Sequence, residues 1–404
     1  MTEKSLDQKL AQIHQDSNTR AFILADAKDA DMAFGIRSAG RRSPEYHHGE
    51  LPFRTIQEYR EMMRQVVRQG LVDIMLMSAS SNEVLTIQER LFDDSHITPA
   101  GRANDTSDIH ILRGSGYRSM ASRPFRSTTI DHLQCGKAQC DDSERSQGCN
   151  LGLYSITFNN DLARDLEALE HYKQFRIEAE LKGFRHFWEV FDPNLPEAVD
   201  PEQLPGFIND AIGRTLAGVT QGGGPIFLKV VYHGPKAMEE LVQYNSDLVI
   251  GIMGGSSGTT YDAFKLLADA QKYGARAALY GRKINNAEHQ LAFIQFLRLI
   301  VDGEITPEEA VKAYHGVLQG MGIAPHRPLE EDMQLTDTSF SYGETSRRST
   351  ATVPAQPSGQ PAGASSTATP PSTPGEVDYD SLSPEEKIRL NQKERDRIFG
   401  SFFS

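Results

Sequence analysis

Cysteine is scarce in this chain: 404 residues hold three, Cys135, Cys140 and Cys149, all in one polar segment. An odd, local set of this kind reads as reduced thiols in a cytoplasmic protein. The N-terminal stretch MTEKSLDQKLAQIHQDSNTR carries charges throughout and has no apolar core, which does not fit a signal peptide. Long hydrophobic runs are missing too; nothing approaches the ~20 apolar residues of a membrane span, so no membrane partner is expected. Positive charge is in deficit, with 42 Lys and Arg against 55 Asp and Glu and a net charge of −13. That balance excludes an extended basic face for nucleic acid. It leaves room for a small phosphorylated ligand, which a few local cations and backbone amides can hold. The segment from His132 through the three cysteines lacks the tight paired spacing of structural zinc, so neither a metal nor another cofactor is expected. An enlarged surface loop after a third strand accounts for it better.

What the chain does contain falls into two regimes. Up to about residue 325, strand-like apolar runs alternate with longer helical patterns. From about residue 336 it turns polar and includes STATVPAQPSGQPAGASSTATPPSTPG, too poor in apolar groups to offset ordering entropy. The expected division is a folded unit over 1–329, a flexible Pro/Ser/Thr-rich linker over 330–375, and a short helical segment over 376–404. In that last segment Ser383 suits a cap and Pro384 a first helical position. Leu382, Ile388, Phe399, Phe402 and Phe403 give it a partly apolar side that could dock on a partner or assembly. It resembles, loosely, the linker-plus-helix tags that load enzymes into bacterial microcompartments.

Eight strands are predicted in the first regime, at 21–26, 71–78, 108–114, 150–158, 185–192, 225–232, 247–254 and 276–281. Several are nearly continuous apolar runs, as in parallel strands covered by helices. Gly70, Gly183 and Gly274 stand just before the next strand, where a helix C-cap belongs. Eight such units in roughly 300 residues predict an α/β fold of the (β/α)₈ TIM-barrel type. The rival, an open doubly wound sheet, lacks a G-x-G-x-x-G after its first strand.

Barrel enzymes carry their chemistry at the C-terminal ends of the strands. The sixth strand, PIFLKVVYHGP, places Lys229 among apolar neighbours. Burial disfavours a charged ammonium and leaves free amine, the form that attacks a carbonyl to make a Schiff base. The seventh strand ends in GIMGGSSG, where Gly254, Gly255, Ser256 and Ser257 run into a helix and present backbone amides to an anion. The eighth ends in Gly281 and Arg282. Loops after strands seven and eight are the recurrent phosphate site of this fold.

Lys229-V-V-Y-H, GGSSG and YGRKI followed by N-N-A-E-H-Q resemble the class I aldolases of the deoxyribose-phosphate, archaeal-type fructose-bisphosphate and tagatose-bisphosphate group. The resemblance is densest over 225–300. The bisphosphate branch is nearer, since VIGIMGG has no second lysine on strand seven. It implies a metal-independent aldehyde-lyase in which Lys229 forms the Schiff base and Asp26, ending strand one, holds a substrate hydroxyl or the iminium. Glu189 on strand five, with Asp192 near its end, is a candidate proton carrier if burial raises its pKa. The archaeal-type enzymes have a tyrosine on that strand where this chain has Phe191, so Tyr154 and Tyr232 are the substitutes to examine. Arg113, at the end of the third predicted strand, is a candidate for a second phosphate or carboxylate.

The expected activity is therefore class I cleavage or formation of a phosphorylated ketose or deoxy sugar by a cytoplasmic homo-oligomer. Two rivals stand beside it. One is a phosphate-binding barrel of other chemistry (transaldolase, isomerase or thiolase-like); the other is a non-catalytic barrel scaffold whose tail binds a partner.

Overall fold

The computed structural model of the chain describes residues 2–16, 18–42, 52–255 and 258–336. Most of the predicted linker and the whole of the segment 376–404, with its expected cap at Ser383, lie outside the described residues, as do Ser256 and Ser257. Among the described residues no helix is long and apolar enough to cross a membrane.

Eight parallel strands close a barrel, each hydrogen-bonded to its neighbours in sequence and the last to the first. They are β1 (Ile23–Lys28), β2 (Ile74–Met77), β3 (Thr98–Arg102), β4 (Leu151–Thr157), β5 (Arg185–Phe191), β6 (Leu228–Val230), β7 (Ile250–Met253) and β8 (Ala277–Tyr280). Helices such as Ile56–Gln69, Leu162–Leu181 and Thr260–Lys272 cover them, each over a pattern visible in the sequence. Gly70, Gly183 and Gly274 have φ of 72, 60 and 106°, the left-handed region of a helix C-cap that favours glycine.

Side chains alternate across each strand, one set filling the barrel and the other meeting the helices. Ile23, Ala25, Ala27, Leu151, Leu153 and Phe187 belong to the interior set, which Leu6, Leu10 and Ile13 of the helix Ser5–Gln15 close from below. The spacing of those three puts them on one helix face, so the charged N-terminal stretch is a plug for the barrel floor. Lys9 of the same helix pairs with buried Asp73 at 2.7 Å.

Seven of the eight predicted strands are found, and the third is corrected. Residues 108–114 form a loop, and β3 is the run TPAGR at 98–102. Its small residues are required by packing: a Cβ on Gly101 would lie 2.5 Å from Leu133 and 3.0 Å from the Cys149 sulfur. The expected enlarged loop does join β3 to β4, but its cysteines are buried. Cys135 and Cys140 are joined in a disulfide, so the expectation of three reduced thiols fails, and Cys149 is the free one. No three His, Cys, Asp or Glu side chains group around a metal position there or elsewhere among the described residues.

The start of the expected linker is also corrected. Residues 329–332 form a short helix, and the carboxylate of Asp332 accepts the Thr260 N–H at 2.7 Å and pairs with His315 at 2.9 Å. Thr336 donates its N–H and hydroxyl to Asp262 at 2.8 and 2.6 Å.

One carboxyl in the first βα connection should control part of the pH response of stability. Burial pushes the Asp31 carboxyl up to about 6, partly offset by the Ser78 hydroxyl that donates to it at 2.6 Å. The folded state therefore holds a proton that the unfolded state has already lost between about pH 4 and 6. Stability from this group is present at the acid end and falls as pH rises through that window. The loss is at most about 2–3 kcal/mol. Urea midpoints at pH 4.5 and 7.5 should show Asp31→Asn gaining on the parent at the higher pH; parallel pH responses in the two proteins would remove Asp31 as the cause.

Candidate active site

Lys229 is flanked on β6 by Leu228 and Val230, which pack against the helical layer, so its own side chain points into the barrel. It stands in register with Glu189 of β5 on one side and Gly251 of β7 on the other, and Glu189 with Ser155 of β4. The result is a polar row across neighbouring strands, above an apolar floor. Lys229 is 5% and Glu189 1% exposed, and the two form an ion pair. The Ser155 hydroxyl donates to the other Glu189 oxygen at 2.5 Å. Burying this much polarity is tolerable because each member has a partner. Above the row, Phe191, Val231, Met253 and Ile109 form a small apolar cluster. Ile109 comes from the loop 108–114, where the apolar pattern predicts a strand.

A cavity beside Lys229 is lined by Ala27 in β1 with Asp29 and Ala30 after it, by Met253 in β7 with Gly254 and Gly255 after it, and by Leu279 in β8 with Gly281 and Arg282 after it. Gly281 must lack a side chain, because a Cβ there would sit 2.8 Å from the Ala27 carbonyl oxygen. The Arg282 guanidinium lies over the Phe34 ring, 5.5 Å from its centroid. The predicted phosphate residues Gly254, Gly255, Gly281 and Arg282 are thus brought together with Lys229.

The helix that follows β7 contributes less than its sequence promised. Its first amides are taken by the chain's own carboxylates: Thr259 N–H by Asp262 and Thr260 N–H by Asp332, both at 2.7 Å. These two amides are therefore not available to an anion, whereas the glycine-bearing turns and Arg282 line the cavity. Lys283 ties the two loops together, donating to the carbonyls of Gly258 and Thr259 at 2.9 and 2.8 Å. Burial pushes its amine down to about 8.

Several expected residues are placed elsewhere. Asp26 is in register with Met75 and Tyr280, both of the helix-facing set, and pairs at 2.8 Å with Lys28 on that same side. Burial pushes the Asp26 carboxyl up and the Lys28 amine down, each opposed by the other's charge. The carboxylate that reaches the cavity is Asp29, three residues on. Tyr154 packs at a tilt against Tyr172 and Phe175 under the helix Leu162–Leu181. Tyr232 likewise belongs to the helix-facing core. Burial raises both phenols, and both side chains face the helical layer rather than the barrel mouth. Arg113 lies exposed in the loop. The arginine that ends β3 is Arg102, in register with interior Leu153 and 2% exposed, hydrogen-bonded to Asp29 at 2.6 Å and in ion-pair contact with Asp105 at 2.9 Å. Asp192 meets His233 at 2.9 Å just past the ends of β5 and β6, a pair the sequence gives no means of recognising.

No family model matches the chain. Over 93 residues it is 32% identical to 2-amino-3,7-dideoxy-D-threo-hept-6-ulosonate synthase 1 of Archaeoglobus fulgidus, a match that spans 23% of this chain and 34% of that relative. The fold is similar to that of a Schiff base forming fructose-1,6-bisphosphate aldolase, with a TM-score of 0.51 and 14% identity over 72% of this chain and 99% of the other. It is also similar to the fructose-bisphosphate aldolase of Slackia heliotrinireducens, at 0.53 and 15% over 80% and 92%. At these identities the likeness is one of fold.

Proposed function

We propose that this protein is a class I aldolase, a carbon–carbon lyase acting on a phosphorylated ketose or deoxy sugar without a metal. The observation that carries the reading is the inward-facing Lys229, paired with Glu189 and opening on a cavity bordered by Gly254, Gly255, Gly281 and Arg282. The Lys229 amine passes its proton to Glu189 and attacks the substrate carbonyl. Glu189 returns a proton to the carbinolamine oxygen, which leaves as water. The iminium then accepts the electron pair of the breaking carbon–carbon bond, while a carboxylate takes the proton of the departing hydroxyl. Asp29 is better placed for that last task than Asp26. Phosphate held by the glycine turns and Arg282 fixes the non-reacting end, so its binding energy orients the bond being cleaved.

Borohydride treatment in the presence of a panel of sugar phosphates is the test. A reduced adduct should appear by mass spectrometry on the peptide containing Lys229, and Lys229→Met should give none. An equal adduct in the variant, or none in the parent with any ketose or deoxy-sugar phosphate, removes the assignment.

A further inference from the structure

The 20-residue helix Leu162–Leu181 is apolar on two opposite sides. Ala168, Tyr172, Phe175 and Ala179 face the barrel and are buried. On the far side Leu162, Leu166, Ile177 and Leu181 are 78, 57, 46 and 83% exposed. At 100° per residue these four lie within about a third of a turn of one another, so they make one stripe along a helix about 30 Å long. The stripe is interrupted at its middle by Glu170 and Lys173, which are exposed and pair with each other at 2.6 Å.

The order along the stripe is symmetric about the point between residues 171 and 172. Turning the helix end for end about that point carries Leu162 onto Leu181, Leu166 onto Ile177, and Glu170 onto Lys173. A second copy laid antiparallel on the first therefore meets leucine with leucine or isoleucine at both ends. At the centre it meets each charge with its opposite. This is the self-complementarity that a two-fold interface requires. Beside the stripe, Arg126, His171, Phe175, Ile177 and Leu181 border a groove. We infer that the face of helix Leu162–Leu181 is a two-fold, antiparallel interface between copies of this chain. The inference is independent of the activity proposed above.

Sedimentation velocity of the full chain over a wide concentration range should show a monomer–dimer or higher even-numbered equilibrium. Ile177→Glu should weaken it by on the order of 100-fold, because a charge is driven against apolar side chains. Lys173→Glu should weaken it by about 10-fold, and the exchanged pair Glu170→Lys with Lys173→Glu should restore it, since only the sum of the charges across the axis matters. Geometry has its own readout. Residues 166 and 177 of opposite copies lie at the same height, whereas the two copies of 166 are separated by ~16 Å along the axis. A short bismaleimide should join Leu166→Cys to Ile177→Cys in an equimolar mixture and should join neither variant to itself. A monomer at every concentration, an assembly indifferent to Ile177→Glu, or equal cross-linking in the unmixed variants overturns the inference. Retained circular dichroism and thermal transition in each variant exclude misfolding as the cause of a loss.

Discussion

Arg102→Met is expected to destabilise the protein by about 3–5 kcal/mol at neutral pH, the range for breaking a buried ion pair by removing one partner. The guanidinium is 2% exposed and serves two carboxylates at once, Asp29 through one terminal nitrogen and Asp105 through Nε. The Nε hydrogen itself goes to the Asn104 carbonyl at 3.1 Å, so Asp105 is held by charge rather than by a hydrogen bond. Methionine fills much of the same volume but leaves both carboxylates buried without a counter-charge. Burial already pushes the Asp105 carboxyl up, and the charge of Arg102 is the main opposing influence. Without it the folded state binds protons that the unfolded state releases, so the deficit should be largest at pH 7 and shrink as pH falls toward 5. Urea unfolding at both pH values measures this. A loss below about 1 kcal/mol, the same at both pH values, would mean that the cluster is wet and the pairing weak. Arg102→Lys should not rescue it, because a single ammonium does not reproduce a planar fork that serves two acids. Activity should fall with stability, since Asp29 borders the cavity at Lys229.

Arg102 was hidden in the sequence for the same reason that β3 was. The strand TPAGR has no apolar run and no β-branched alternation beyond its first residue, because Leu133 and Cys149 press on Gly101 and leave no room for side chains. Hydrophobic patterning detects strands whose side chains fill space, and it fails where a neighbouring segment fills the space for them. The nearby DIHILRG has the pattern and is a loop. Its Ile109 is apolar because it packs over the barrel mouth with Phe191, Val231 and Met253, and the Ile111 N–H goes to the Ala33 carbonyl at 2.8 Å.

Parity explains the remaining misplacements. In ILADAK the interior residues are isoleucine and two alanines, and the outward ones leucine, aspartate and lysine, so small and polar residues give no indication of which face is which. Asp26 and Tyr154 fell on the wrong side of a period-2 pattern, where one residue decides everything. Lys229 was legible because a lone cation between apolar residues in a strand needs a special environment whichever way it points. The glycine turns were legible because close approach of backbone to backbone leaves few alternatives to glycine. The carboxylates that neutralise the helix after β7 were not, since Asp332 arrives from a segment that reads as linker.

Glu189→Gln should separate the chemistry of the polar row from its packing. Glutamine keeps the shape and can still accept the Ser155 hydroxyl, but it neither balances the charge of Lys229 nor carries a proton. If Glu189 moves protons during carbinolamine formation and dehydration, single-turnover trapping of the Lys229 adduct should slow by about 10²–10⁴-fold, the usual contribution of a positioned acid–base group. The trapped residue should remain Lys229, and the final extent of trapping should approach that of the parent at long times. Steady-state turnover should fall by a similar factor with little change in KM for a sugar phosphate, because the phosphate contacts proposed above lie on other strands. Trapping within about threefold of the parent rate would assign Glu189 to charge balance alone and shift the proton to another group. The Asp192–His233 pair past the ends of β5 and β6 would then be the next to substitute. A His233→Gln effect on top of a silent Glu189→Gln would place the acid above the apolar cluster of Phe191 and Val231, at the substrate's leaving end.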